Sequence, residues 1–252
     1  AAFLWDWDGA KGDFERAFAV APNDTQVLNL YGDFLAQTGD FSRAEQFKKR
    51  LAFELDPLSP IHPNDLNVQY TMRGMYSEAL KYAQRTVSLD PDNPSRVDGL
   101  IWALMNAGER EQARRLMEES SDIPGLIDGT PLTWRAWLAY LEGDIPALRS
   151  SLDDLIEFEQ ASDQEFWNTN IAYTALWLDG AEAAMPWLER AYDAREFFLV
   201  WPDSFFLPEM YSEDPAWLEF WQRPGLAELM EMRRANGQTD IRTAWKPRPE
   251  TP

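Results

Sequence analysis

Gly39-Asp40-Phe41-Ser42-Arg43-Ala44 and, 35 residues later, Gly74-Met75-Tyr76-Ser77-Glu78-Ala79 are two copies of one instruction. Each begins with glycine, which accepts the left-handed backbone that ends a helix. In the first copy Asp40 follows, which can receive the free N–H groups of the next helix. Each closes on a small alanine, where two antiparallel helices can approach closely. A second phrase recurs between them, Leu55-Asp56-Pro57-Leu58-Ser59-Pro60 and Leu89-Asp90-Pro91-Asp92-Asn93-Pro94. Proline is tolerated at the edge or first turn of a helix and excluded from its interior, so this phrase separates one helix pair from the next.

Outward from these stretches the pattern keeps its register. Ala10, Ala44, Ala79, Ala113 and Ala147 are spaced by 34, 35, 34 and 34 residues, and Ala184 follows after 37. Gly39, Gly74, Gly108 and Gly143 each precede an alanine by four or five. Pro22 and Pro91 fall twelve residues after Ala10 and Ala79, whereas Pro57 falls thirteen after Ala44, as one inserted residue requires. Between the marks, apolar residues recur at helical spacing, as in Val27, Leu28, Tyr31 and Leu35. No stretch alternates with period two for long enough to form a sheet.

A 34-residue period of paired helices resembles the tetratricopeptide repeat (TPR) family. The Gly-x-x-x-x-Ala and Leu-Asp-Pro phrases are similar to its turn signatures, most clearly over residues 8–120 and less so to about 195. The resemblance implies an all-α, right-handed α-α superhelix of about six helix pairs with C-terminal capping helices. Second helices are expected near 9–20, 41–55, 76–89, 109–120, 145–159 and 181–195. First helices are expected near 24–38, 61–73, 94–107, 131–142 and 163–179. The chain divides into regular repeats (1–120), irregular pairs (121–195), an aromatic loop with capping helices (196–237) and a flexible tail (238–252). Residues 121–130 form the clearest loop. Trp217, Phe220 and Trp221 read as the closure of the C-terminal core, or alternatively as a homodimer contact.

A narrower resemblance rests on Trp5-Asp6-Trp7-Asp8-Gly9-Ala10, the Leu55–Pro60 phrase and Ser212-Glu213-Asp214-Pro215-Ala216-Trp217-Leu218-Glu219-Phe220-Trp221. Together they resemble C-terminal TPR arrays of bacterial signalling proteins that carry an N-terminal winged-helix or nucleotide-cyclase domain. The chain opens Ala-Ala-Phe-Leu-Trp without methionine and reads as a fragment of a longer protein or a processed chain. The expected compartment is the cytoplasm, with the periplasmic part of a membrane-tethered regulator as the alternative.

Composition narrows the partners. There are 43 Asp and Glu against 23 Lys and Arg, a formal net charge of -20. Nucleic acid and anionic membrane surfaces attract basic footprints, so neither is an expected partner. A neutral or basic protein or peptide is. The absence of cysteine excludes a disulfide framework and thiolate metal sites. The lone histidine, His62, lies between Pro60 and Pro63 at a helix start and reads as structural. Neither a phosphate-binding glycine loop nor a Gly-x-Ser-x-Gly elbow occurs. Carboxylate pairs such as Asp153 and Glu157 are ordinary on an acidic helical surface. No catalysis, metal or cofactor is expected.

In TPR-like arrays the first helices line a concave groove. Counting each repeat alanine as position 20, the resemblance places groove side chains at positions 2, 5, 9, 12 and 13. The candidates are Gln26, Asn29, Asp33 and Gln37 in the second pair, and Asn64 and Thr71 in the third. Asp98, Trp102 and Asn106 follow in the fourth, Tyr140 in the fifth, and Tyr173 and Trp177 in the sixth. None is Lys or Arg, so the clamp that holds a peptide carboxylate in some TPR proteins is not expected. The aromatic members read either as anchors for a partner or as packing between irregular repeats. The expected function is a protein-interaction module, the regulatory part of a larger bacterial signalling or transcription regulator, holding a neutral or basic peptide. The alternative is a small-molecule sensor with a pocket in the aromatic C-terminal half, near Trp177 and Trp201. The stretch Trp245-Lys246-Pro247-Arg248, with its Lys and Arg, also suggests a tail that folds back into an acidic groove.

Overall fold

A computed structural model describes residues 5–121, 123–162, 167–201 and 214–238. The proposed fold-back stretch from Trp245 to Arg248 lies outside the described residues, as do residues 202–213. The helices are α1 (Trp7–Val20), α2 (Thr25–Gln37), α3 (Phe41–Arg50), α4 (Ile61–Met72), α5 (Tyr76–Leu89), α6 (Pro94–Asn106) and α7 (Arg110–Ser120). They continue as α8 (Thr130–Glu142), α9 (Ile145–Ala161), α10 (Asn168–Asp179), α11 (Ala181–Asp193), α12 (Pro215–Phe220) and α13 (Leu226–Ala235). Among the described residues there is no β-strand. The chain is an α-α superhelix of TPR type, with each helix packed on its neighbours in sequence.

The repeat marks do what their chemistry predicts. Gly39, Gly74, Gly108 and Gly143 all have positive φ, ending α2, α4, α6 and α8. Asp40 and Asp144 accept hydrogen bonds from the N–H groups of Arg43 and Ala147 at the starts of α3 and α9. Ala44, Ala79, Ala113 and Ala184 are fully buried. The inserted residue of the second pair is visible directly. α3 runs into a π-turn over Leu51–Leu55, closed by Asp56 N–H donating to the Leu51 carbonyl at 2.9 Å. A π-turn absorbs one extra residue without breaking the helix.

One local reading is corrected. Ala147 is exposed, and Leu148 occupies the buried contact instead. The fifth pair is therefore displaced by one residue from the alanine count. Pro186 lies inside α11, where it removes one internal hydrogen bond.

The superhelix curls until its ends meet. Trp7 donates its indole N–H to the Gly225 carbonyl at 2.6 Å. Arg233, almost wholly buried, donates to the Gln37 carbonyl at 2.8 Å. Asn236 and Gln238 donate to the carbonyls of Thr38 and Gly39. One apolar core consequently contains Trp5, Tyr31 and Phe34 of the first pairs together with Leu188, Trp217 and Leu229 of the last. Trp217, Phe220 and Trp221 are buried within this chain. The capping helices thus cover both ends of the solenoid at once, and each end shields the apolar face that the other would expose.

Candidate functional site

The inner side of the curl encloses a cavity of about 600 Å³. From α2 come Leu30, Asp33, Phe34 and Gln37. From α4 come Asn64, Asp65, Asn67, Val68, Gln69 and Thr71. The α6 wall is Ser95, Asp98, Gly99, Trp102 and Asn106. One end is closed by Ile127 of the 121–130 loop, Thr130 and Thr133 of α8, Trp167, and Asn170 of α10. Phe197, Phe198 and Trp201 complete the aromatic side, beside Phe14. No Lys or Arg is among these lining residues.

Seven sequence candidates therefore meet in one place: Asp33, Gln37, Asn64, Thr71, Asp98, Trp102 and Asn106. Five do not reach it. Gln26 is exposed on the first turn of α2. Asn29 points toward α3, where its carbonyl and side-chain oxygens accept from Lys48 Nζ at 2.9 and 2.7 Å. Tyr140 and Trp177 stack on each other with centroids 4.4 Å apart, and Trp177 also packs on Trp137 at 5.0 Å. Tyr173 is fully buried. Tyr140 and Trp177 form the seam between α8 and α10, whereas Tyr173 packs in the core that holds Tyr31 and Leu188. At the starts of α8 and α10 the count from alanine is off by one residue, which turns a helix by about 100°. Shifting it by one brings in Thr130, Thr133, Trp167 and Asn170, which line the cavity, but keeps Tyr140 and Trp177, which do not. The spacing of four rather than five from Gly143 to Ala147 and from Gly180 to Ala184 is the sequence signal of this shift.

A buried charge cluster underlies the α2–α4 wall. Lys48 of α3 is wholly buried, and its ammonium lies 2.7 Å from both Asp33 and Asp65. Gly32 makes this possible: a Cβ there would meet Lys48 Cε at 2.9 Å. Burial raises the Asp33 and Asp65 carboxyls, and the ammonium of Lys48 pulls them partly back. Asp98 is different. It accepts from the Trp134 indole at 2.7 Å and from the Trp102 side chain, both neutral donors. Burial pushes its carboxyl up to about 6, against the lowering effect of those two bonds. Among the described residues no basic side chain pairs with it.

Two amides in the wall are incompletely satisfied. Gln69 is 2% exposed and neither of its amide atoms has a hydrogen-bond partner in the protein. Asn67 lacks a partner for its Oδ1. Buried polar groups are normally paired, so such atoms mark a place where another molecule can supply the partner. His62 is buried outside the cavity, with Nε2 3.2 Å from Asp56. Among the described residues no cluster of His, Asp or Glu has the arrangement of a metal site. No helix of the described residues is long and apolar enough to cross a membrane.

The 34-residue helix pairs, their glycine turns and the curled superhelix define a TPR-type repeat array. Among curated proteins the chain is similar to the TPR repeat-containing protein YpiA of Bacillus subtilis (strain 168). The two are 25% identical over 242 residues, which is 92% of this chain and 54% of that protein. The chain thus spans about half the length of that relative. No protein-family model matches it. Among solved structures it is similar to YrrB, described as a TPR protein with an unusual peptide-binding site. The identity is 17%, coverage is 72% of this chain and 91% of that one, and the TM-score is 0.43. It is also similar to a chain of the APC/C hetero-tetramer Cut9-Hcn1. There the identity is 13%, coverage is 94% and 51%, and the TM-score is 0.34.

Proposed function

We propose that this chain is a protein-interaction module that binds a short segment of a partner in the concave cavity, without chemistry of its own. The observation that carries the reading is the convergence of α2, α4 and α6 on one cavity whose wall contains unsatisfied amides. A peptide backbone offers the N–H and carbonyl groups that Gln69 and Asn67 lack. The aromatic end supplies a surface on which a side chain can be buried. Among the described residues no cation lines the cavity, which argues against a partner held by its carboxylate. The similarity to half of a longer TPR protein is consistent with service as the regulatory part of a larger bacterial signalling or transcription regulator.

The test is capture from bacterial lysate with two baits, the parent chain and an Asn64→Arg/Ser95→Arg variant. Both changed residues line the cavity but are not buried. A protein retained by the parent and lost by an equally folded variant supports the reading. Identical retention by both baits removes it.

One observation favours a small-molecule sensor as a second reading. The cavity volume falls in the range of small-ligand sites, and Trp167, Phe197, Phe198 and Trp201 close its aromatic end. The cavity reaches Trp201 but not Trp177. Native mass spectrometry of the chain purified from its host separates the readings: a bound mass of a few hundred daltons favours the sensor.

A further inference from the structure

The charges around the cavity do not balance. Asp33, Asp65 and Asp98 all line it. Lys48 is set against the first two and is fully engaged by Asp33, Asp65 and both oxygens of Asn29, while Arg96 acts on Asp65 from a distance. Asp98 has only indole donors. A half-buried carboxylate held by neutral groups retains a demand for a counter-charge. Trp102, whose side chain donates to Asp98, also lines the cavity, so an aromatic surface adjoins this carboxylate. Aromatic faces and carboxylates together favour a cation on an apolar stem.

We propose that the occupant of this cavity inserts a lysine or arginine side chain, its charged head received by Asp98 with Asp33 nearby in charge and its stem lying on the aromatic wall. The inference rests on the peptide-binding reading and adds the class of residue that is recognised. Gln69, nearly wholly buried with both amide atoms unpartnered, is the independent sign that the wall awaits a polar ligand. Its amide can bond the backbone of the same segment while the side chain fills the acidic end. Guanidinium offers two parallel donors to a carboxylate and is expected to be preferred over ammonium.

The test uses the whole 252-residue chain and affinity selection from acetylated, amidated heptapeptide pools. The central residue is arginine, lysine, citrulline or leucine, and the other positions are uncharged. The proposal expects the arginine and lysine pools to be retained about fivefold or more over citrulline and leucine. It expects Asp98→Asn to erase that preference, and raised salt to weaken it in the parent chain, a measurement that needs no variant. Equal retention of the citrulline or leucine pools overturns the inference while leaving peptide binding intact. Retention of no pool above the Asn64→Arg/Ser95→Arg variant overturns both. Binding of the free amine agmatine, with no pool retained, also overturns it and points to a small-molecule ligand.

Discussion

The indole N–H of Trp134 donates to Asp98 across 2.7 Å, tying α8 to α6 at the cavity. That bond joins the regular half of the solenoid to its irregular half through a carboxylate in the wall. Because burial raises the Asp98 carboxyl to about 6, the folded chain binds a proton there that the unfolded chain releases near 3.8. The contribution of Asp98 to stability is therefore present at low pH and lost as pH rises through about 6. His62, whose ring is lowered by burial, works in the opposite sense over neighbouring pH. Subtracting the denaturation curves of Asp98→Asn from those of the parent isolates Asp98. The difference should shrink steadily between about pH 4 and pH 7 in the direction that favours the parent at low pH. A flat difference contradicts the raised carboxyl.

Lys48 should be costly to lose. Among the described residues its ammonium alone bridges Asp33 and Asp65, and its removal leaves two half-buried carboxylates facing each other. Lys48→Met is expected to destabilise the chain by about 3–5 kcal/mol in chemical denaturation. Adding Asp33→Asn and Asp65→Asn to that variant should recover much of the loss. A fully additive triple variant would show that the three groups are not a unit.

Closure of the solenoid depends on Arg233. Its guanidinium satisfies the Gln37 carbonyl 196 residues earlier in the chain. Arg233→Ala should cost about 2 kcal/mol. It should also raise amide hydrogen exchange in α13 and in α1 and the α2–α3 turn together. Loosening of α13 alone would mean that the two ends are not mutually supporting.

Glu196 anchors the start of α10. Its carboxylate accepts from the Asn168 N–H at 3.0 Å, the Thr169 N–H at 2.8 Å, and the side chains of both. It lies five per cent exposed at a helix N-terminus, where a negative charge is favoured. Glu196→Ala should destabilise by about 2–3 kcal/mol. The loss should exceed that of Glu196→Gln, which retains one acceptor.

How far the sequence reached follows from what each signal encodes. Gly39, Ala44, Asp56 and Pro57 act on backbone within one turn, so helix pairs, turns and even the inserted residue at the π-turn were readable. Asp33, Asn64, Asp98 and Trp102 followed because their pairs keep the alanine register. Thr130, Thr133 and Asn170 were missed where the glycine-to-alanine spacing shortens from five to four at Gly143 and Gly180, and Tyr140, Tyr173 and Trp177 are taken up in packing between the irregular pairs. The closure through Trp7, Gly225 and Arg233 leaves no periodic trace, since each partner is set by the accumulated curvature of six pairs. Burial of Lys48 needed a gap on another helix, at Gly32, that no local pattern announces.

The most direct test of binding in the concave cavity is hydrogen–deuterium exchange on the chain, free and saturated with the captured partner segment. Protection should fall on Asp33–Gln37, Asn64–Thr71 and Asp98–Asn106, the three stretches that face the cavity. Protection confined to α3, α5 and α7 on the outer side, with those three stretches unchanged, would contradict the account.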